Sequence, residues 1–126
     1  MSQYFQNGDD VLWNPATRVA GLFLDMAEAH ARMLGIPSGL GPMEEDECQV
    51  DVQAFASFTD ALVRYHANSS HRILKSLMEG FVATALAIAI ADNVAGPVAA
   101  VRERADDPAV RRLVDLAHQN AAAMPR

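Results

Sequence analysis

The sequence predicts a mainly α protein of the α+β class: a small helical bundle of about four helices with an N-terminal β-hairpin or small antiparallel sheet. Apolar residues recur at three-to-four spacing in several segments, which is typical of helices packed on one face. An Asn-Gly pair separates two short runs near the N-terminus, which indicates a hairpin. The loops between the helical segments are short and favour antiparallel neighbours. With 126 residues, the chain is long enough for one domain with its own core, so we expect residues 1–126 to form a single domain.

Residues 1–13 are predicted to form the hairpin. The Asn7-Gly8 pair lies between the two runs and favours a type I′ turn, in which both central residues take positive φ. A two-stranded hairpin is marginal by itself, so its aromatic residues must pack against another element. A third strand is expected near residues 48–52, because Cys48, Val50 and Val52 alternate there with polar residues.

The first helix is predicted over residues 14–34. Asn14 is a favourable N-cap, and Pro15 suits the first helical position because its missing N–H has no partner to lose there. Gly35 and the nearby Pro37 are expected to end the helix. Its apolar face is predicted to contain Val19, Leu22, Phe23, Met26, His30, Met33 and Leu34.

Three further helices are predicted, over residues 52–67, 70–92 and 107–122. The first has an apolar side of Phe55, Phe58, Leu62, Tyr65 and His66. The second, capped by Ser69 or Ser70, carries Ile73, Leu74, Leu77, Met78, Phe81, Val82 and Leu86, and its later turns are apolar on nearly every side. Such a helix lies inside a bundle or in an oligomer interface. The helix over residues 107–122 starts at Asp107-Pro108, a cap followed by proline. Residues 93–96 are expected to end the helix before it, and Pro97 is expected to start a short helix that reaches Arg104.

Composition excludes several classes of protein. The 16 acidic and 10 basic residues give a net charge of -6, which argues against coating nucleic acid or an anionic membrane. The single cysteine excludes an intramolecular disulfide and a zinc site made of cysteines alone. The first ten residues lack the basic and apolar regions of a secretory signal. The longest uncharged apolar run, Gly80–Ala91, is shorter than the roughly 20 residues of a membrane span. We therefore expect a cytoplasmic protein.

Several stretches resemble a family of small actinobacterial proteins of unknown function, of the Streptomyces type. The resemblance covers roughly residues 2–15, 41–49 and 78–81. It rests on Ser2-Gln3-Tyr4-Phe5, Gly8-Asp9, Leu12-Trp13-Asn14-Pro15, Gly41-Pro42-Met43-Glu44, Asp46-Glu47-Cys48-Gln49 and Met78-Glu79-Gly80-Phe81. It implies a bacterial, soluble, single-domain protein and assigns no reaction, cofactor or site residue.

An acidic run at residues 44–47 is the densest polar feature. Gly41-Pro42 is predicted to open a short helical turn here, which places Glu44 and Glu47 on one face. Such a pair can act in acid–base chemistry or hold a divalent cation, but the interpretation we favour is that Glu44 offsets the dipole of this turn. The adjacent Cys48 is expected to be a buried apolar residue, because nearby carboxylates raise the pKa of a thiol.

The histidines and arginines suggest further sites. His30 and His66 lie on apolar helix faces, where buried neutral imidazoles are expected. His66 and His71 flank a turn, but their spacing is not a recognised ligand spacing, so we predict no metal site and no cofactor. Arg102, Arg104, Arg111 and Arg112 cluster around Asp107-Pro108 and suit an anion. Because Asp106 and Asp107 compete for them, a solvated face or an interface pairing is favoured.

Two functional hypotheses follow. The first is an interaction or accessory protein that forms a homodimer or binds a basic protein partner through its acidic half, because residues 1–60 carry a net charge of -8 and residues 61–126 carry +2. The alternative is a small enzyme or ligand-binding protein, either cofactor-independent or metal-assisted. It would use Glu44 or Glu47 as acid or base with His66 or His71 as partner. Its candidate ligand-binding residues are Trp13, Tyr4, Tyr65 and His30.

Overall fold

The computed structural model describes residues 1–91 and 98–125. Within these residues, helices outnumber strands and the α+β class is confirmed. Five helices and a four-stranded sheet occur there, so the expected four helices with a hairpin are only partly matched. In chain order the elements are β1 (Tyr4–Asn7), β2 (Asp10–Trp13), α1 (Thr17–Leu34), β3 (Leu40–Glu44), β4 (Glu47–Val50), α2 (Val52–Asn68), α3 (Arg72–Ala91), α4 (Ala99–Glu103) and α5 (Pro108–Ala122).

The sheet is mixed and has the strand order β2-β1-β4-β3. The pairs β1–β2 and β3–β4 are antiparallel, whereas β1 and β4 run parallel. The predicted hairpin is present, but the residues between its strands are Gly8 and Asp9, and of these only Gly8 has a positive φ. A type I′ turn needs two such residues, so that prediction is wrong. The predicted third strand is present as β4, although Val52 belongs to α2.

Residues 41–47 form a second hairpin and not the predicted helical turn. The turn between β3 and β4 consists of Glu45 and Asp46, which have φ values of 50° and 64° without being glycine. Positive φ costs free energy in such residues, so pairing of β4 with a strand on each side outweighs the local preference. Pro42 is tolerated because β3 is an edge strand, where a missing N–H breaks no ladder bond.

Helix α1 begins later than predicted, with Ala16 at the N-cap position and no side-chain cap. Asn14 and Pro15 precede the helix because the chain there is bonded to both termini. The N–H of Asn14 donates to the carbonyl of Pro125 at 2.8 Å, and the carbonyl of Pro15 accepts from Gln3 at 2.9 Å. The end of the helix is as predicted: Gly35 takes the left-handed conformation that commonly closes a helix.

The starts of the later helices depend on single side chains. Asp51 and Asp107 cap α2 and α5 by accepting backbone N–H groups at 3.1 and 2.9 Å, and Pro108 follows Asp107 as predicted. Helix α3 starts at Arg72 and not at residue 70. His71, rather than a serine, accepts a backbone N–H of its first turn, from Leu74 at 3.1 Å. The short helix before Arg104 is confirmed as α4, whereas the predictions for residues 92–97 lie outside the described residues.

The direction of α5 differs from the expectation of antiparallel neighbours. Arg112 bonds to Glu79 near the start of both helices, and Asn120 donates to Thr84 further along both. Helix α5 therefore runs in the same direction as α3, on which it packs extensively. As a result, the N-termini of α3 and α5 lie at the same end of the bundle.

Helix α3 forms the centre of the core. Every residue from 81 to 89 except Thr84 is buried. Phe81 joins α3 to the rest of the core, because its ring lies 5.1 Å from that of Phe23 on α1 and 6.4 Å from that of Phe58 on α2. The stretch Arg72–Ile90 is long and apolar enough to cross a membrane by composition, but half of its most apolar window is buried inside the protein. Core helices of soluble proteins pass the same test.

The buried face of α1 is rotated from the predicted one. Ala20, Phe23 and Ala27 are its buried residues, and the two alanines let the helix axis come close to the core. Val19, Leu22 and Met33, which were predicted to face inward, are 48%, 62% and 39% exposed. Phe23 packs against Phe81 of α3 and fixes which face of α1 points inward, so these three larger residues lie outside that face.

Candidate functional site

An open cleft of about 430 Å³ lies where the end of α2 meets the starts of α3 and α5. We call it the His66 cleft. Its lining is predominantly polar, and it draws on all three helices. The side chains that matter for its chemistry are one histidine, three basic residues, one acid and three serines: His66, Arg72, Lys75, Arg112, Glu79, Ser69, Ser70 and Ser76.

His66 lies at the floor of this cleft with only 3% of its surface exposed. Neither ring nitrogen has a hydrogen-bond partner of good geometry among the described residues, although the backbone of Lys75 lies close enough to influence the ring. Burial lowers the pKa of His66, and the charge of Lys75 lowers it further, while Glu79, the backbone of Lys75 and Asp107 act in the opposite direction. The ring is therefore neutral at pH 7, with one donor and one acceptor. A buried polar group without a partner is costly, which makes this histidine the most unusual side chain of the region.

The charges around the cleft are unevenly paired. Arg112 forms two hydrogen bonds with Glu79, at 2.9 and 3.0 Å, and this contact holds the pKa of Glu79 below its usual range. Within the described residues, Arg72 and Lys75 form no salt bridge. Three cations against one carboxylate leave the lining with a charge of about +2, in a chain whose net charge is -6.

His71 does not join His66 in a ligand pair. Its ring Nδ1 accepts the N–H of Leu74, and its side chain is exposed outside the lining of the His66 cleft. In the parts of the chain that the structure describes, no group of three or more His, Cys, Asp or Glu residues is placed to hold a metal ion.

The acidic candidates lie on the sheet, away from the lining of the His66 cleft. Glu44 ends β3 and Glu47 begins β4, and the two exposed residues are direct partners across the antiparallel pair. Because this segment is a hairpin, the interpretation of Glu44 as a residue that offsets a helix dipole is wrong. Like charges directly opposite each other in a sheet are destabilising, so this placement costs free energy.

The aromatic candidates are spread over the molecule. Trp13 is buried, stacks on Phe5 at 5.4 Å between ring centres and meets Phe23 edge-on at 5.3 Å. It also lines a cavity of about 330 Å³ whose lining does not include Tyr4 or Tyr65. These two tyrosines are 37% and 39% exposed, on β1 and α2. The arrangement does not bring the three aromatic side chains to one pocket wall.

His30 has the structural role expected of a histidine on an apolar face. Its Nδ1 donates to the carbonyl of Met26 at 2.7 Å, and its ring stacks on Phe81 with 4.4 Å between centres. Unlike His66, it therefore has a polar partner. Of these two histidines, His66 is therefore the one whose ring nitrogens lack a well-formed hydrogen bond.

Cys48 is fully buried on β4, as predicted. Its thiol donates to the carbonyl of Gly41 at 3.3 Å. Burial raises the pKa of Cys48 to about 11, and the Gly41 contact only partly opposes this. A thiol that remains protonated at pH 7 is a poor nucleophile, so Cys48 has a packing role.

The predicted arginine cluster is divided between partners and solvent. Arg112 pairs with Glu79, and Arg104 donates to Asn68 at 2.6 Å, both within the chain. Arg102 and Arg111 are exposed. Sequence reasoning missed Arg72 and Lys75 as members of a site. The available signal was the run Ser69-Ser70-His71-Arg72, which places hydroxyl groups and a cation at a helix start.

Sequence reasoning also missed a surface of exposed apolar side chains, which we call the α1–α3 surface. It consists of Val19, Leu22 and Met33 on α1 and Ile73 and Leu77 on α3. The two α3 residues are 59% and 71% exposed, and Leu77 lies one turn before Phe81, which contacts Phe23 and His30 of α1. Each of the two helices therefore exposes apolar side chains, and Leu77 lies one turn from the contact that joins them.

A family model described as a family of unknown function (DUF6086) matches residues 1–126. The match spans the whole chain and agrees with the resemblance to a family without an assigned activity. No curated protein and no solved structure matches the chain.

Proposed function

The chain belongs to the family of unknown function DUF6086, and from its own surface we propose that it is an interaction protein that forms a homodimer through the α1–α3 surface. The observation that carries this proposal is the exposure of five large apolar side chains on two helices that pack against each other. Monomeric proteins rarely expose contiguous apolar patches of large area, and such patches commonly mark interfaces.

A second copy of the chain is the occupant that the charges favour. The charged residues close to these side chains along the two helices carry both signs, with Arg18 and Asp25 on α1 and Arg72 on α3. The acidic turn at residues 44–47 belongs to the sheet and is not part of this surface. Two copies related by a twofold axis can therefore bring the same patch together without juxtaposing their excess negative charge.

The experiment is a concentration series in sedimentation velocity on the wild type and two variants. Leu77→Glu places a charge in the middle of the surface, and we expect it to weaken dimerisation by at least about tenfold, because an unpaired charge is costly in an apolar interface. Tyr65→Glu is the matched control, since Tyr65 is also exposed but lies on α2. A wild type that stays monomeric at high concentration contradicts the proposal, and so does an equal weakening of dimerisation in the two variants.

A second candidate role is the binding of a basic protein partner at the acidic turn. It is favoured by the direct opposition of Glu44 and Glu47, which destabilises the hairpin and is relieved by a cationic partner. A lysine-rich peptide is the probe, with the double variant Glu44→Gln/Glu47→Gln compared with Asp9→Asn/Asp10→Asn at the other hairpin. Preferential loss of binding in the first variant supports this role, and equal loss in both contradicts it.

The enzyme alternative, with Glu44 or Glu47 acting beside His66 or His71, gains no support from the arrangement of these residues. The His66 cleft includes neither carboxylate in its lining, and His71 uses a ring nitrogen at the start of α3.

A further inference from the structure

We propose that the His66 cleft binds the phosphoryl group of a small, polar phosphate monoester. None of the residues that line it belongs to the α1–α3 surface as defined above. It is carried by three features of the cleft: a buried histidine without a hydrogen-bond partner, two unpaired cations, and a lining of hydroxyl groups without large apolar side chains.

The first feature is the buried side chain of His66. His66 is 3% exposed, both of its ring nitrogens lack a hydrogen-bond partner of good geometry within the described residues, and the residue is part of the cleft lining. Proteins satisfy nearly all buried polar groups, with other protein groups, water or a ligand. A ligand with oxygen acceptors supplies the partner that the N–H of a neutral imidazole needs.

The positive charges of the cleft indicate that the ligand is an anion. Arg72 and Lys75 face the cleft without a salt bridge in the described part of the chain, whereas Arg112 is oriented by its two bonds to Glu79. The N-termini of two long helices, α3 and α5, lie at the same cleft and add a favourable field for an anion. Their N–H groups at Leu74 and Ala109 already have partners, so the side chains must supply the direct contacts.

The lining specifies the kind of anion. Ser69, Ser70 and Ser76 offer hydroxyl donors beside the guanidinium and ammonium groups, a set that suits the several oxygens of a phosphoryl group. No phenyl, phenol or indole ring occurs among the lining residues that the structure describes, which disfavours a nucleobase. The volume of about 430 Å³ accommodates more than a phosphate, and its polar walls suit a hydroxylated ligand body.

Binding of an anion also changes the titration of His66. In the free protein its pKa is lowered, chiefly by burial and by Lys75, while Glu79 and Asp107 favour the proton. Arg72 and Arg112 also line this cleft with positive charge. A bound dianion adds negative charge that favours the protonated ring, so the pKa of His66 rises on binding and a proton is taken up.

The test is a titration followed by NMR of the histidine side-chain nitrogens, with glycerol 3-phosphate, inorganic phosphate and acetate as probes. We expect a saturable shift and a raised pKa for His66 with glycerol 3-phosphate, while His30, His71 and His118 serve as internal references. Weaker binding of inorganic phosphate and no saturable effect of acetate are expected. Equal binding of acetate overturns the choice of phosphate, and equal binding of inorganic phosphate overturns the monoester.

Two matched variants distinguish binding in the cleft from a general effect of removing positive charge. Lys75→Gln removes a cation from the cleft, and we expect it to weaken binding of glycerol 3-phosphate by about tenfold, as loss of a charge-assisted contact does. Arg111→Gln removes the same charge from an exposed position of α5 outside the lining and should leave binding unchanged. Absence of a saturable His66 shift in the wild type, or equal weakening in the two variants, overturns the proposal.

Discussion

The two halves of α3 share one helix but have opposite environments. In the first half, Ile73 and Leu77 are 59% and 71% exposed, and Arg72 and Lys75 line the His66 cleft. In the second half, Val82 and Leu86 are completely buried. The later turns are enclosed by neighbouring helices, whereas the first turns extend to the end of the bundle. The comparison teaches that apolar character by itself does not distinguish a core residue from an interface residue in this helix.

The largest expected effect is in the buried half. Leu86→Ala should lower the free energy of unfolding by about 3 kcal/mol, because it removes buried methyl groups and leaves a cavity that the packed helices cannot fill. Urea denaturation followed by circular dichroism measures this difference. A loss below about 1 kcal/mol would mean that this half of α3 is loosely packed, and the comparison would fail.

The next effect concerns the two inward histidines. His66→Leu should raise the free energy of unfolding by about 1 kcal/mol, because it replaces a buried polar ring that has no partner with an apolar side chain. His30→Leu is the control and should lower it, since that ring loses its bond to the carbonyl of Met26. Thermal and urea denaturation in phosphate-free buffer show whether each substitution raises or lowers the free energy of unfolding. A destabilised His66→Leu variant would show that the ring has a hydrogen-bond partner in solution.

The third prediction is a pH dependence. Because the pKa of His66 is lowered in the folded state, the unfolded chain binds more protons once the pH falls below the ordinary value of about 6.5. The free energy of unfolding is therefore unaffected by this titration well above that pH, and it decreases as the pH falls towards the folded pKa. Denaturation midpoints between pH 7.5 and 5.5 should fall in the wild type and fall less in His66→Leu. Parallel curves for the two proteins would exclude this contribution.

The smallest effect is expected in the exposed half of α3. Leu77→Ala should change the free energy of unfolding by no more than about 0.5 kcal/mol, because the side chain is 71% exposed and leaves no internal cavity. The measurement requires a protein concentration at which the wild type is monomeric. A loss comparable to that of Leu86→Ala would show that both halves of the helix belong to one core.

Local signals were sufficient for several elements of the fold. The helix starts at Asp51 and Asp107 and the helix end at Gly35 were predictable because each depends on a side chain or a backbone conformation within a few residues. The first hairpin was predictable for the same reason, since Gly8 permits its turn. The buried role of Cys48 also followed from the pattern of its own strand, whereas His30 is only partly buried.

Other features required contacts between distant segments. Residues 41–47 form a strand pair because β4 is bonded to β1, about forty positions earlier, and this pairing outweighs the helix-start signal of Gly41-Pro42. The start of α1 is displaced because residues 14–16 are bonded near both termini. No local pattern around Glu44 or Asn14 contains this information.

The sequence by itself determined the four long helical segments, the cap of α5 and the end of α1, and which residue types are available for a site. Only the tertiary structure decided which apolar residues remain exposed and which polar groups meet. The physical reason is that the relative direction of packed helices is a property of the tertiary structure. Because α5 runs parallel to α3, two helix N-termini and their cations come together over His66. Periodicity records which residues share one face of a helix, but it does not record which helix, if any, covers that face.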